Sequence, residues 1–156
     1  EEIDDPELGS FRVSARQLLK AGDLIVAIEI CEDLWAPIPP SSEHALAGAN
    51  LILNPSASNE LIAKADYRRS LVQMQSATLN CAYLYAGAGP TESTKDIVFS
   101  GHMLAAENGV MLAESPRLSL QEGSICVEID TESFQDSRPS IGDPSRISVI
   151  GRPTFA

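Results

Sequence analysis

Residues 24–35 read LIVAIEICEDLW. Leu24 to Ile30 is a near-continuous apolar run, the mark of a buried strand. The run stops at Cys31, and Glu32, Asp33 and Trp35 follow closely. Neighbouring carboxylates raise a thiol's pKa, and the thiolate is the reactive form. Cys31 is therefore either a packing residue or a nucleophile whose positive partner comes from elsewhere in the fold.

The flanking sequence says what kind of strand this is. Pro39 and Pro40 stop the chain, Ser41 or Ser42 can cap, and a short helix is expected to run to about Gly48. LILNPSAS, residues 51–58, predicts a second strand that breaks at Pro55 into a small-residue loop. Residues 63–80 lack Gly and Pro. Leu71, Met74, Thr78 and Leu79 recur there at helical spacing, which predicts a long amphipathic helix facing the core with those residues. CAYLYAGA, residues 81–88, predicts a third strand. Strand–helix–strand–helix–strand implies a parallel sheet with right-handed crossovers. Further on, Asn108-Gly109 sits between two apolar stretches, a strong hairpin signal because both turn positions need positive φ. SICVEID, residues 124–130, alternates as one more strand, and the Pro-, Gly- and Ser-rich residues 136–156 read as a tail or linker.

Composition narrows the function classes. At 156 residues the chain can bury one core. Its net charge of −11 argues against a nucleic-acid face and against docking on an anionic membrane. No apolar run approaches the ~20 residues that span a bilayer. The start, EEIDDPELGS, lacks the basic and apolar regions of a signal peptide. It also lacks an initiator Met, as a piece of a longer chain would. Three widely spaced cysteines suit reduced thiols in a cytoplasmic protein.

Cys31 is thus expected at the C-terminal end of a parallel strand, where open α/β sheets place ligands and reactive groups. Cys81 and Cys126 are expected in the core. A nucleophilic thiol needs a base or a cation. His44 and His102 lack a recognisable Cys–His setting. The Gly-x-Cys-x-Gly elbow of Cys–His–Glu amidotransferases is absent, since Cys31 lies between Ile30 and Glu32. Lys20, Lys64 and Lys95 do not complete a catalytic set.

Four stretches in this order carry a family likeness: ICEDLW (30–35), PIPPSSEHALAGANLILNPSAS (37–58), the Arg-led helix from Tyr67, and the hairpin around residues 107–109. From about Leu24 to Asp130 the chain resembles the nitrilase (carbon–nitrogen hydrolase) superfamily. More closely, it resembles the glutaminase domain of glutamine-dependent NAD synthetases. The resemblance implies an α-β-β-α sandwich with a Glu–Lys–Cys triad, of which this chain carries a partial domain. Residues 1–135 would be the C-terminal part of the glutaminase domain, and 136–156 a tail toward a synthetase domain. Cys31 matches the nucleophile. The Glu and Lys of the triad would lie upstream of residue 1.

In the same pattern the Glu32 backbone N–H points at the oxyanion, and its carboxylate is a candidate contact for the α-amino group of L-glutamine. Trp35 matches an aromatic pocket wall, with a plain core indole as the alternative. Ser58 matches a loop residue holding substrate. Lys64 matches a basic position for the α-carboxylate, the alternative being a solvated helix-start residue. A cation is disfavoured at a helix N-terminus, which tips Lys64 toward function. Asp33 could anchor the loop through its own turn hydrogen bonds. Arg68 and Arg69 are expected to pair with acidic neighbours or a partner subunit. The resemblance implies homo-oligomers. It places no cofactor or metal in this chain, and ATP and Mg only in the synthetase domain. Two other readings stand beside it: a stand-alone amidase or carbamoylase of the superfamily, and a non-catalytic assembly module.

Overall fold

The computed structural model describes residues 2–7, 9–131 and 134. The expected tail at 136–156 lies outside them. Two short strands, β1 (Glu2–Asp5) and β2 (Gly9–Arg12), form an exposed antiparallel hairpin. The main sheet has six strands in sequence order: β3 (Leu19–Ala21), β4 (Leu24–Ile28), β5 (Leu51–Ser56), β6 (Ala82–Gly87), β7 (Met103–Glu107) and β8 (Val110–Glu114). As expected, the three central strands β4, β5 and β6 are parallel. Their connections are the helices α1 (Pro40–Leu46) and α2 (Lys64–Leu79). The remaining pairs are antiparallel.

The strands' alternation divides the sheet into two faces. On one, Ala27, Ile52, Tyr83, Tyr85, Leu104 and Ala106 form the main core with Val72 and the partly buried Leu71 and Leu79 of α2. On the other, Leu51 and Ala82 join partly buried Leu24, Val26, Leu53 and Leu84. The helices thus cover one face. This is one sheet and one helical layer of the expected nitrilase-like sandwich, a partial domain.

Local chemistry sets the boundaries, and several differ from expectation. Helix α1 starts at Pro40, a residue whose fixed φ suits the first helical position. No Ser41 or Ser42 side chain caps it. The buried carboxylate of Glu29 accepts the Ser41 N–H instead, at 2.8 Å. Pro55 does not break β5 but pairs with Ala86 inside the ladder. Its missing N–H faces the side on which β4 has already ended at Ile28, so no ladder bond is lost. Helix α2 ends at Asn80 in the left-handed conformation (φ 49°).

The buried face of α2 is Ala65, Arg68, Val72 and Ser76. Met74 and Thr78, both expected inside, are exposed, Met74 to 64%. Their place is lost because a buried arginine, not an apolar residue, centres the packed stripe. The Asn108-Gly109 hairpin forms between β7 and β8 with both φ values positive, 47° and 84°. Residues 124–130 pair with no strand. The alternation is nonetheless real, since Ile125, Val127 and Ile129 are half-buried. Ile129 packs against the Leu51, Ala82 and Phe134 cluster, so the segment lies on the sheet's second face rather than along its edge. The same geometry turns Cys126 outward, and it is exposed, whereas Cys81 is buried as expected.

Candidate functional site

Strand β4 ends at Ile28, and Cys31 opens a 3-10 turn that runs to Trp35. The turn is braced from both sides. Asp33 accepts the Ile30 N–H on Oδ2 at 2.8 Å, and its own N–H reaches the Ile30 carbonyl at 3.1 Å. Asp33 therefore anchors the loop through local turn bonds, as its side-chain chemistry suggests. Cys31 has φ 53°, a left-handed conformation that a residue with a Cβ adopts at a cost of about 1–2 kcal/mol. Strain of this kind persists only where the surroundings over-determine it.

Those surroundings include a buried polar network behind the turn. The Glu29 N–H donates to the Leu53 carbonyl at 3.1 Å, which holds the end of β4 against β5. Its carboxylate accepts from the Ser41 N–H and from the Tyr83 hydroxyl. Asn54 Nδ2 donates to that hydroxyl at 3.0 Å, and Gln75 Nε2 donates to Ser41 Oγ at 3.0 Å. Burial, with the Glu29 charge beside it, pushes the Tyr83 phenol well up, so it stays a donor. One carboxylate thus ties β4, β6 and the start of α1 together directly beneath the cysteine turn.

At the C-terminal ends of the parallel strands lies an open cavity of about 450 Å3. Cys31, Glu32, Trp35, Ser58 and Lys64 all line it. The structure therefore brings together in one place the five residues that the resemblance assigns to the site. Ala57, Asn59 and Ile97 complete the lining. Of these, Asn59 carries a polar contact that sequence reasoning missed: it accepts a hydrogen bond from Lys64 Nζ at 2.7 Å. It stands in the small-residue loop beside Ser58, which was the available signal.

Cys31 and Trp35 are half-buried, and Glu32 is exposed. The Trp35 ring lies 5.3 Å from the Tyr67 ring, tilted by 36°. Lys64 Nζ lies 5.3 Å from the Trp35 centroid, within cation–π range. Burial lowers the Lys64 pKa, and the Arg68 charge lowers it further. Glu60, Cys31 and Glu32 act in the opposite sense.

Neither histidine lines the cavity. His44 Nε2 donates to the Ala15 carbonyl at 2.9 Å, and His102 lies between Arg68 and Glu114. Both are buried and hydrogen-bonded. Among the described residues no group of three or more His, Cys, Asp or Glu is placed to hold a metal ion. No helix among them is long and apolar enough to cross a membrane. The arrangement offers a thiol held on a strained turn, a cation, a carboxylate and an aromatic wall around one open cavity.

The chain matches no family model. It is 45% identical over 121 residues to the glutamine-dependent NAD(+) synthetase of Mycobacterium leprae, a match covering 76% of this chain and 18% of that protein. With the enzyme of the same name from Mycobacterium bovis it shares 38% identity over 148 residues, covering 88% of this chain and 22% of that protein. The chain therefore spans about a fifth of the length of these curated relatives. Among solved structures, a glutamine-dependent NAD(+) synthetase from Cytophaga hutchinsonii matches with a TM-score of 0.58 at 33% identity, over 67% of this chain and 16% of that one. An amidase from Nesterenkonia sp. shares the fold, with a TM-score of 0.60 at 21% identity, over 78% of this chain and 43% of that one. Sequence and fold together show that the chain is homologous to a part of the glutamine-dependent NAD(+) synthetases, on a fold it shares with an amidase of the nitrilase superfamily.

Proposed function

We propose that this chain carries the nucleophile and the amino-acid pocket of a glutaminase site that supplies ammonia for NAD synthesis. The observation that carries the reading is the cavity in which Cys31 meets Lys64, Ser58, Glu32 and Trp35. The Cys31 thiolate attacks the side-chain amide carbon of L-glutamine, and the carbonyl becomes a tetrahedral oxyanion. The Glu32 backbone N–H donates to that oxygen, and a fixed amide donor needs no reorganisation at the moment of reaction. The C–N bond then breaks, a general acid protonates the leaving nitrogen, and ammonia departs. Water cleaves the remaining thioester, giving glutamate and restoring the thiol.

Glutamine differs from a simple amide by its α-ammonium and α-carboxylate, and both charges need partners in a partly desolvated pocket. Glu32 suits the first, and Lys64 with Ser58 suits the second. Trp35 forms the wall along the aliphatic stem. The general base and the second oxyanion donor are the Glu and Lys of the superfamily pattern, contributed by residues outside this sequence. The ammonia would be used by an ATP- and Mg-dependent synthetase domain of the same polypeptide, in the cytoplasm, to amidate nicotinic acid adenine dinucleotide. Self-association belongs to the same reading. Leu24, Val26, Leu53 and Leu84 are only partly buried on the second sheet face, and an apolar face of that kind seeks a partner. Sedimentation as a monomer at micromolar concentration would contradict it.

The test uses the intact enzyme that contains this sequence. Cys31→Ala should abolish NAD synthesis from glutamine and spare synthesis driven by added ammonia, because the thiol's role is confined to the acyl intermediate. Equal loss of both activities would refute the division of labour.

A further inference from the structure

Three of the segments that line the cavity, the loop at 57–59, the start of α2 and the stretch at Ile97, meet at a residue that does not line it. Glu60 lies in the loop between Ser58 and Lys64. Its backbone N–H donates to the Val98 carbonyl at 2.7 Å, which holds the Ile97 wall against the loop. Its Oε2 accepts from both terminal nitrogens of Arg68 at 3.2 Å. Its Oε1 accepts from Arg117 at 3.0 Å. Arg68 stands one helical turn after Lys64, on the buried face of α2. Its side chain is 1% exposed, and that of Glu60 10%. The guanidinium also donates to His102 Nδ1 at 2.9 Å and sits 5.5 Å from the Tyr85 ring centre. It is therefore fixed on several sides.

A buried ion pair is a poor source of net stability, because desolvating both charges offsets much of their attraction. An apolar pair of similar volume would hold a loop to a helix about as well. What the ion pair adds is direction. Two N–H groups converging on one carboxylate oxygen define the position of the loop relative to the helix start. The Glu60 carboxylate also offsets the Arg68 charge that otherwise bears on Lys64.

We propose that Glu60 and Arg68 are positioning residues for the glutamine pocket: the pair sets the loop carrying Ser58 and Asn59 against the start of α2 carrying Lys64, and so fixes the spacing of the groups that hold the α-carboxylate. The inference rests on the glutaminase reading of Cys31 and adds two residues that touch neither the substrate nor the thiol.

The experiment compares Glu60→Gln and Arg68→Lys with the unaltered intact enzyme. Glu60→Gln keeps the shape and one acceptor but removes the charge. KM for glutamine should rise about tenfold, equivalent to ~1.4 kcal/mol of binding, with kcat within about threefold. Alkylation of Cys31 by iodoacetamide, which lacks the α-groups, should proceed at the unaltered rate. The glutamine concentration that half-protects Cys31 should rise by the same factor as KM. Arg68→Lys keeps the charge without the fork and should fall between the two.

A merely structural pair would lower the unfolding midpoint and slow alkylation and ammonia-driven synthesis together, leaving KM unmoved. That result overturns the inference, as does a KM within about twofold of the unaltered enzyme, a change of less than ~0.5 kcal/mol. If Glu60→Gln folds poorly, the double variant Glu60→Gln with Arg68→Met removes the unpaired charge, and its KM decides in the same way. Failure of the underlying reading looks different. There, Cys31→Ala retains glutamine-dependent turnover whatever Glu60 does.

Discussion

Lys64 and Trp35 meet in the lining of the cavity. The ammonium nitrogen stands 5.3 Å from the centre of the indole ring and donates to Asn59 Oδ1 at 2.7 Å. A long lysine side chain ordinarily has much rotamer freedom to lose on binding a ligand. Here the ring and the amide have already restricted it. The cation is presented toward the cavity before any ligand arrives.

Replacing Lys64 should therefore cost binding rather than chemistry. A contact made equally in ground and transition states changes KM and leaves kcat alone. Losing a charge-assisted hydrogen bond costs about 1.5–3 kcal/mol, so Lys64→Ala should raise KM for glutamine roughly ten- to hundredfold. Steady-state glutaminase kinetics on the intact enzyme check it. A KM within about twofold, less than ~0.5 kcal/mol, would make Lys64 a solvated helix-start residue.

The strain at Cys31 gives a second expectation, on stability. With φ at 53°, glycine suits the position better than any residue with a Cβ. Cys31→Gly and Cys31→Ala both lack the thiol and should be equally dead toward glutamine. Cys31→Gly should nevertheless be the more stable of the two by about 1 kcal/mol, the usual order of a relieved left-handed conformation. Chemical denaturation of both variants measures the difference. Equal stability would mean that the turn relaxes around alanine.

How much of this was legible beforehand depended on the range of the interaction. The parallel core was visible because each strand carries its own apolar run and each helix lacks breakers. Cys31 stands out by its place at the end of an apolar run, Glu32, Trp35, Ser58 and Lys64 come from the family resemblance, and the topology gathers all five around one cavity. Arg68 is expected to pair with an acidic neighbour, and it does, but a charge normally marks the wet side of a helix and this one is buried. Its burial depends on Glu60 and His102, which are 8 and 34 positions away. No periodicity encodes such partners. Glu29 was hidden for the same reason, since it reads as one polar interruption in an apolar strand. Residues 124–130 show the converse. Alternation reports two unlike faces, but not whether a neighbouring strand edge is there to pair with.

The His102 contacts also fix a protonation state, and with it a pH dependence. Arginine can only donate, so the Nδ1 that faces Arg68 carries a lone pair, and Nε2–H donates to Glu114 at 2.9 Å. Burial lowers the His102 pKa below 6.5, opposed by the Glu114 hydrogen bond and reinforced by the charges of Arg68 and Arg117. A neutral buried histidine contributes fully above its unfolded pKa, and its contribution is lost as pH falls through 6.5 toward the lower folded value. Glu114 is held down to about 2, chiefly by hydrogen bonds from Arg69. Its contribution is present above 4.5 and lost as pH falls further. Melting midpoints should therefore decline in two stages below about pH 6.5. His102→Gln, which can accept from Arg68 and donate to Glu114, should flatten the first stage. An unchanged profile would contradict the neutral tautomer.

Gly109 closes the hairpin against α2. Its N–H donates to Ser76 Oγ at 2.9 Å, its φ is +84°, and an added Cβ would stand 3.0 Å from the Ala77 Cβ. Gly109→Ala should destabilise by about 1–2 kcal/mol through backbone strain alone, with the contact adding to it. A neutral denaturation midpoint would show that the hairpin shifts freely on the helix.

The chain 1–156 by itself should release no glutamate from glutamine. No histidine lines the cavity with Cys31, and a thiol without a base or a neighbouring cation devoted to it is a weak nucleophile. Glu32 is exposed, and the Asp33 carboxylate is engaged by the Ile30 N–H at 2.8 Å. Lys64 is the cation of the cavity, and its proposed duty lies with the α-carboxylate. A general base within hydrogen-bond reach contributes typically 10²–10⁴ in rate, and removing one oxyanion donor costs about 10²–10³ more. Together these place turnover of the isolated chain below ordinary detection. The assay measures glutamate release by purified 1–156 beside its Cys31→Ala variant, with iodoacetamide labelling of Cys31 to verify that the turn is formed. Turnover clearly above the variant would mean that Glu32 or Lys64 completes the catalytic set within this chain, and the roles assigned to both would have to be exchanged.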